Sequence, residues 1–362
     1  MIQLRKLLIL LLLAGPAGAQ GPSTADFNAA WKDYQAADTS GDAAALVKTA
    51  ERVLEIAETL FGPDDERVPM LMSNYGSALY QAGQQQDALE VLEQSVERTA
   101  AIHGKRSEQL IPILMNYADA RARSFDARPM ARTYDDALRI ARDVYGERSL
   151  DYAGISLRAG LKILATNEPR VATRYLRKAN DILMDLVGPE DVRTAFAQLN
   201  LGKLELSTRD YEDAIDYFQV ALEGFDNGAP DSLEYELLTR TLLVQAFESV
   251  GKSDEATAHC LAIGARGVNR TNQDYLPIYR TAPEYPRDRL VSKVNGHVDL
   301  AFTVDANGFV QNPRVIAFEG GESFQQAALD AVVNFRYAPR FNEGEPVVTE
   351  NVTTRISFRI EE

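Results

Sequence analysis

The spacing of apolar residues changes once along this chain, near residue 268. Before that point, apolar and small residues recur at helical spacing, whereas after residue 283 apolar and polar residues alternate along short segments. Helical spacing predicts α-helices, and alternation predicts strands with one buried face. We therefore expect a multidomain fold, with an all-α repeat domain over residues 20–268, a linker over 269–282, and a small α+β domain with a three-stranded antiparallel sheet over 283–362.

A 42-residue period runs through the helical region. Gly62, Gly104, Gly146 and Gly188 each follow a similar apolar segment and are separated by 42 residues. A fixed period of this size is typical of a solenoid, in which each repeat packs on the next. Each of these glycines is expected to supply a left-handed cap at the end of a second helix. The period predicts six helical hairpins over about residues 22–268.

Small residues follow the same period, at one site on the first helix of each hairpin and at two sites on the second. The site on the first helix holds Gly76, Ala118, Gly160 and Gly202. Between the two small sites of the second helix stands a large residue, which is Leu92, Tyr134, Leu176 or Phe218. Helices approach closely only where their side chains are small, so these sites predict helix crossings. The pattern resembles the tetratricopeptide family in its 42-residue form, as in kinesin light chains, over about residues 63–228.

One polar position recurs two residues before the small residue of the first helix. In tetratricopeptide arrays this position faces the concave groove, so the resemblance implies a peptide-binding groove. An amide offers a donor and an acceptor to a peptide backbone, whereas an arginine would favour an acidic group on the ligand. The alternative is that these residues are merely polar positions on an exposed helix face. The candidate groove residues are Asn74, Asn116, Arg158 and Asn200.

Alternation in the terminal region predicts its strands. The residues from Val298 to Val304 alternate between apolar and polar, as in a strand with one buried face. Asn307-Gly308 favours a hairpin turn to a second strand over about 309–318, and a helix and a final strand over 352–360 follow. Because Pro313 lies in the second strand, and proline is largely confined to sheet edges or bulges, we expect the first strand to be central.

Several short motifs occur in order in this region: Tyr285-Pro286, Gly296-x-Val298, Phe302-x-Val304, Gly308-x-Val310, Val315, Phe324 with Ala327-Ala328, Phe335-Arg336-Tyr337-x-Pro339 and Gly344-x-Pro346. Together they resemble the C-terminal domain of TonB-type energy transducers. In that family the last strand receives a short segment of an outer-membrane receptor as an added strand, a mode that suits an open sheet edge. The alternative is an edge that stays solvated or pairs with a second copy. The implied strand-addition edge consists of Val352, Thr353, Thr354, Arg355, Ile356, Ser357, Phe358, Arg359 and Ile360.

The N-terminal residues 1–19 predict a secretory signal peptide. Arg5 and Lys6 precede an apolar run over residues 7–14, and Ala17-Gly18-Ala19 fits cleavage before Gln20. The apolar run is far shorter than the roughly 20 residues that span a bilayer. We therefore expect a periplasmic protein without a stable membrane anchor.

Charge and residue inventory argue against several classes of function. The formal net charge is -15, and like charge repels nucleic acid and anionic membranes. The chain lacks GxSxG, phosphate-loop, HExxH and CxxC motifs, so we predict neither an enzyme nor a bound cofactor or metal. Cys260 is the single cysteine and falls at the repeat position of Phe218. We expect it to be a buried packing residue rather than a reactive thiol or metal ligand.

These interpretations favour a bacterial periplasmic adaptor. Its helical domain would bind one protein or peptide, and its terminal sheet would capture an extended segment of another, such as a TonB-dependent outer-membrane receptor. The alternative is a structural envelope scaffold that uses the terminal domain for self-association or cell-wall binding. A true energy transducer is disfavoured, because that family keeps an uncleaved membrane helix and a long proline-rich span where this chain has a short apolar run and helical repeats.

Overall fold

The computed structural model describes residues 21–123, 125–226, 232–267 and 275–360. The predicted signal peptide lies outside the described residues, and so does the first part of the predicted linker. The chain divides into two compact units, Met1–Gly188 and Pro189–Glu362.

The first unit is a tandem array of helical hairpins, in which consecutive helices pack against each other. Local sequence signals begin the first two helices: Ser23 forms a capping box with Asp26, and the Asp42 carboxylate accepts hydrogen bonds from two backbone N–H groups. The helices of this unit are α1 (Thr24–Ser40), α2 (Ala43–Phe61), α3 (Val68–Gln81), α4 (Gln85–His103), α5 (Leu110–Ala120), α6 (Arg128–Tyr145), α7 (Leu150–Leu164) and α8 (Pro169–Leu186).

Small residues lie where the helices of a hairpin cross, as the period predicts. A Cβ atom on Gly76 would lie 2.6 Å from Cγ of Leu92, and one on Gly160 would lie 2.7 Å from Cγ of Leu176. Both leucines are fully buried. Forcing an extra methyl group into such a contact typically costs about 1–3 kcal/mol, so close packing explains the recurrence of small residues.

The turns repeat with the same period but in two backbone conformations. Within the hairpins of the first unit, φ is positive at Gly41, Gly83, Phe125 and Asn167, which are 42 residues apart. Between hairpins, Gly62, Gly104 and Gly146 have φ of 88–91° and ψ of 151–156°. The prediction of a left-handed helical cap at these three glycines is therefore wrong. They occupy an extended region at positive φ that essentially only glycine adopts.

The second unit begins with two further hairpins, formed by α9 (Val192–Thr208), α10 (Tyr211–Phe225), α11 (Leu233–Ser249) and α12 (Ser253–Ala265). Positive φ recurs at Arg209 and Gly251, so the period continues. Cys260 is fully buried in a cluster with Val244 and Phe247, which confirms its predicted packing role. The twelve helices α1–α12, which precede the terminal module in the described part of the chain, confirm the prediction of six hairpins.

The terminal module, residues 283–360, follows in the same unit. Its three-stranded antiparallel sheet has the order β2-β1-β5, so the first strand is central as predicted, and β3 and β4 form a separate two-stranded hairpin. The elements are α13 (Arg287–Val291), β1 (Gly296–Val304), β2 (Val310–Glu319), α14 (Ser323–Val332), β3 (Arg340–Asn342), β4 (Glu345–Val347) and β5 (Thr349–Phe358).

The core of the module lies between the sheet and α14. Alternate residues of β1 are buried, including Val298, Leu300 and Phe302, and they face Phe324 and other apolar residues of α14. The ring of Phe324 stacks on that of Phe358 with 4.4 Å between centroids. This packing explains the apolar alternation of β1 and fixes one face of β5 against the core.

Two element boundaries differ from the predicted ones. The last strand begins at Thr349 and ends at Phe358, instead of running over 352–360. Before this strand, Glu343 and Gly344 both adopt positive φ and let β3 and β4 pair as a short hairpin. A two-residue turn of this kind matches the twist of paired strands.

Candidate protein-binding surfaces

The predicted groove residues of the first unit lie on the first helices of successive hairpins. Nδ2 of Asn116 on α5 donates a hydrogen bond to Oγ of Ser73 on α3, at 3.0 Å. Nη2 of Arg158 on α7 donates to Oδ1 of Asn116, also at 3.0 Å. Side chains of successive repeats therefore bond one another. We call Ser73, Asn116 and Arg158 the polar row.

Arg158 in this row is already paired with an acidic side chain. Its Nη2 lies 2.6 Å from Oδ2 of Asp119, a residue that is only 5% exposed. The hydroxyl of Tyr134 also donates to Asp119, and Nζ of Lys162 lies 3.8 Å away. Burial and then the Asp119 charge raise the pKa of Tyr134 well above its ordinary value, so its hydroxyl stays protonated and keeps donating.

The pairing changes what the polar row offers to a ligand. Asp119 compensates the charge of Arg158, and the half-exposed Lys162, 3.8 Å from the same carboxylate, is a second cation beside it. A preference for an acidic ligand group thus stays a prediction without electrostatic support from Arg158.

The other two candidate groove residues differ in availability. Asn74 on α3 is half-buried, and its amide has no hydrogen-bond partner among the residues that the structure describes. Asn200, in the second unit, donates from Nδ2 to the Phe196 carbonyl of its own helix at 2.8 Å. Asn74 is therefore the candidate most available to a ligand, and the groove interpretation stays a prediction.

The strand β5 is an outer strand of the module's sheet. Within the described residues it has a strand neighbour on one side only, β1. Residues Val352 to Phe358 pair one to one with Phe302 to Gly296, without interruption. The single irregularity of this pairing comes earlier, near Asn351, whose φ is 56°. This stretch leaves an unbroken row of outward backbone groups, which is what an added strand requires.

The opposite edge of the sheet, β2, is irregular. Its register with β1 shifts twice, once between the partners of Asp299 and Leu300 and once near Pro313. Asn312 beside this proline has a φ of 52°. Bulges and proline are common devices that blunt a sheet edge, because they interrupt the row of hydrogen-bonding groups. The two edges thus differ in their ability to accept another strand.

The side chains of β5 divide between the two faces of the sheet. Val352, Ile356 and Phe358 are buried on the core face, and Thr353, Arg355 and Ser357 are exposed on the other.

Arg355 is also committed to β1. Its guanidinium donates two hydrogen bonds to Asp299, at 2.6 and 2.8 Å, which lowers the pKa of that carboxyl. An incoming strand would therefore meet mainly small hydroxyl side chains on the exposed face.

The last two predicted edge residues lie beyond the strand. β5 ends at Phe358, so Arg359 and Ile360 follow it. The N–H of Ile360 donates to Oδ1 of Asn295 at 2.9 Å, which fastens the residues after β5 beside β1.

Sequence reasoning missed one residue that organises this unit. Arg336 was only one member of a motif, but its side chain is 1% exposed and forms an ion pair with Glu248 of α11. A signal was present in the sequence, since Arg336 stands within the apolar run Phe335–Ala338. A buried charge requires a partner, but the sequence does not indicate which acidic residue provides it.

The chain matches two family models. Residues 281–360 match the Gram-negative bacterial TonB protein C-terminal family, and residues 39–101 match the tetratricopeptide repeat family. The chain therefore combines tetratricopeptide repeats with a TonB-type C-terminal domain. Both families are non-catalytic interaction modules, so the repeats indicate protein binding and the terminal domain points to a role in the bacterial envelope.

Two solved structures are similar to this chain. The crystal structure of BtubC (BKLC) from P. vanneervenii is 19% identical, with a TM-score of 0.50, and the match covers 71% of this chain and 98% of that one. Tetratricopeptide-like repeats of a kinesin light chain from Podosopora anserina are 16% identical, with a TM-score of 0.45, over 56% of this chain and 98% of that one. The likeness to BtubC shows a shared fold. A search of curated proteins finds no match.

Across the part of the chain that the structure describes, no helix has both the length and the apolar character needed to cross a bilayer.

Proposed function

We propose that the chain is a periplasmic adaptor that binds two protein partners. Its tetratricopeptide repeats bind one partner, and β5 captures an extended segment of another, such as a TonB-dependent outer-membrane receptor. The family matches support protein binding and an envelope role. The predicted export signal over residues 1–19 and the predicted domain boundaries belong to this proposal.

The observation that carries the proposal is the uninterrupted pairing of Val352 to Phe358 at an outer strand. Every second residue of such a strand turns its backbone groups outward. About four added hydrogen bonds, each worth about 0.5–1.5 kcal/mol, would contribute about 2–6 kcal/mol before ordering costs. Capture is therefore weak, with a Kd no tighter than roughly tens of micromolar, and it suits a transient partner.

Peptide titration tests strand capture. Uniformly labelled protein, residues 20–362, is titrated with receptor-box peptides while amide chemical shifts are followed. We expect the shifts to concentrate in β5, because the added strand would bond to its outer side. Shifts that spread evenly, or that concentrate in β2, would contradict capture at β5.

Two neighbouring proline variants provide a matched control. Successive residues of a strand turn their N–H groups to opposite sides, so one of Thr353 and Thr354 faces β1 and the other faces the open edge. Of Thr353→Pro and Thr354→Pro, we expect one to abolish capture with little loss of stability and the other to weaken the pairing of β5 with β1. Capture that survives both substitutions argues against the proposal.

The same titration separates capture from self-pairing, which is what the scaffold alternative requires. If β5 pairs with a second copy of itself, shifts in β5 depend on protein concentration and not on peptide. Analytical ultracentrifugation of the protein without peptide then shows a dimer. A monomer whose β5 shifts follow peptide concentration supports the adaptor.

A further inference from the structure

The terminal module approaches the last helical hairpin closely at Gly264 of α12. A Cβ atom there would lie 2.3 Å from the Pro339 carbonyl oxygen and 2.9 Å from the ring of Phe341. The repeat pattern does not call for a glycine here, since Leu222 stands 42 residues earlier. The glycine therefore matches the approach of the module and not the packing of one repeat on another.

Arg336 joins the same two elements through its guanidinium. From the hairpin, Glu248 of α11 forms an ion pair with Nη1, and Oγ1 of Thr257 on α12 accepts from Nη2 at 2.6 Å. From the module, the Asn307 carbonyl lies 3.3 Å from Nη2, and the ring of Phe309 lies 3.7 Å beneath the guanidinium carbon. A buried cation with partners on both sides makes separation costly, because either side would be left with unpaired polar groups.

The backbone makes a third connection. The N–H of Ile278 donates to the Arg336 carbonyl at 2.7 Å, and the N–H of Arg336 donates to the Tyr279 carbonyl at 3.0 Å. Ile278 and Tyr279 also pack against the apolar cluster of the hairpin, which contains Val244 and Phe247. One chain segment thus bonds to the module and contributes to the core of the repeats.

We propose that the terminal module is the permanent C-terminal cap of the helical repeats. On the hairpin, the contact surface consists of Glu248, Thr257 and Gly264. On the module, it consists of Arg336 and Pro339–Phe341. The last hairpin of a solenoid has no following repeat to cover its apolar face and therefore needs a cap. Here the module supplies it, so α11, α12 and the sheet open and close as one unit. The inference is independent of strand capture.

Cys260 provides a built-in reporter of this unit. It is the single cysteine of the chain and is fully buried between the hairpin helices. A thiol reagent reacts with it only when the structure around it opens. The labelling rate of Cys260 in the protein of residues 20–362 therefore measures how often α12 is exposed.

Gly264→Ala tests whether the cap is permanent, because the two possibilities change the labelling rate of Cys260 in opposite directions. In a helix with a free surface, alanine favours the helix over glycine and would slow labelling about fivefold. Beneath a permanent cap, the new methyl group meets the Pro339 carbonyl oxygen, and this overpacking exceeds the gain in helix propensity, so we expect labelling to be faster, by up to about thirtyfold. Slower or unchanged labelling would overturn the proposal.

The buried ion pair gives a second, independent test. Arg336→Met leaves the partly buried Glu248 without its cation and should speed labelling of Cys260 strongly, whereas the Arg336→Met/Glu248→Leu double variant should recover most of the protection. Lys252→Met removes an exposed cation from the same hairpin, paired with Glu212, and should change the rate less than about twofold. If the single and double variants label at the wild-type rate, the cap is not permanent. If Arg336→Met does not fold, Gly264→Ala decides alone.

Discussion

The polar row of the first unit and the outer edge of β5 are both candidate binding surfaces, but their hydrogen-bonding groups are in opposite states. In the row, Asn116 and Arg158 bond to Ser73, to each other and to the buried Asp119. At the edge, seven residues pair regularly with β1 and face no further strand among the described residues. A ligand at the row would compete with existing bonds, whereas a ligand at the edge would complete missing ones.

The largest expected effect is a loss of stability at Asp119, the buried partner of the polar row. Asp119→Ala should destabilise the first unit by about 2–3 kcal/mol, because it leaves Arg158 and Tyr134 without their shared acceptor. Trp31, the single tryptophan, lies on α1 and reports unfolding of this unit by fluorescence. Asp185→Ala, which removes an exposed pair with Arg148, is the matched control and should cost less than about 1 kcal/mol. Equal losses would mean that the row is not held together by Asp119.

Acid should affect the unit that carries the edge through His259. Burial lowers the pKa of His259 to about 4, and its ring stacks on Phe247. The neutral form is therefore favoured in the folded state, so its stability contribution is present above pH ~6.5 and is lost as pH falls towards 4.

The measurement is the free energy of unfolding of the second unit in urea, with hydrogen exchange of the α12 amides as the probe. Between pH 6.5 and 4, the wild-type protein should lose about 1–3 kcal/mol more than His259→Phe, which keeps the ring stack. Parallel losses in the two proteins would assign the pH dependence to other groups.

The third prediction concerns Asn74, the candidate groove residue whose amide has no hydrogen-bond partner among the described residues. Asn74→Ala should weaken binding of a groove partner by about 0.5–1.5 kcal/mol without lowering stability, because no internal bond is lost. Asn116→Ala should lower stability as well, since its amide bonds to Ser73 and Arg158. Envelope proteins retained by immobilised wild-type protein and by each variant provide the readout. If Asn74→Ala retains the same proteins as the wild type, the groove hypothesis is wrong at this position, and Asn74 is only a polar residue on a helix surface.

The sequence predicts those features of the fold that depend on residues close together in the chain, and it does not predict contacts between distant residues. Helix positions, the crossing at Gly76 and the central place of β1 follow from local spacing and from a single proline. The ion pair of Arg336 with Glu248 joins residues 88 apart in sequence, and no local pattern selects that partner. The bonds of Asn116 likewise depend on how neighbouring repeats place their side chains, so the sequence indicates a polar position but not its occupancy.

The smallest expected effect tests whether side chains or backbone define the edge. Asp299→Asn weakens an exposed pair with Arg355, so stability should change by less than about 0.5 kcal/mol. Peptide affinity should change less than about twofold, because strand addition relies on main-chain bonds. Isothermal titration at two salt concentrations is the measurement. A large loss of affinity would show that side-chain charge dominates recognition.

Amide hydrogen exchange along β5 is the most direct test of the open edge. In the free protein, amides from Val352 to Phe358 should alternate between slow and fast exchange, because every second N–H faces β1. Addition of a receptor-box peptide should slow only the fast set. If all of these amides are already slow in the free protein, or if the fast ones stay fast with saturating peptide, β5 is not a strand-capture site.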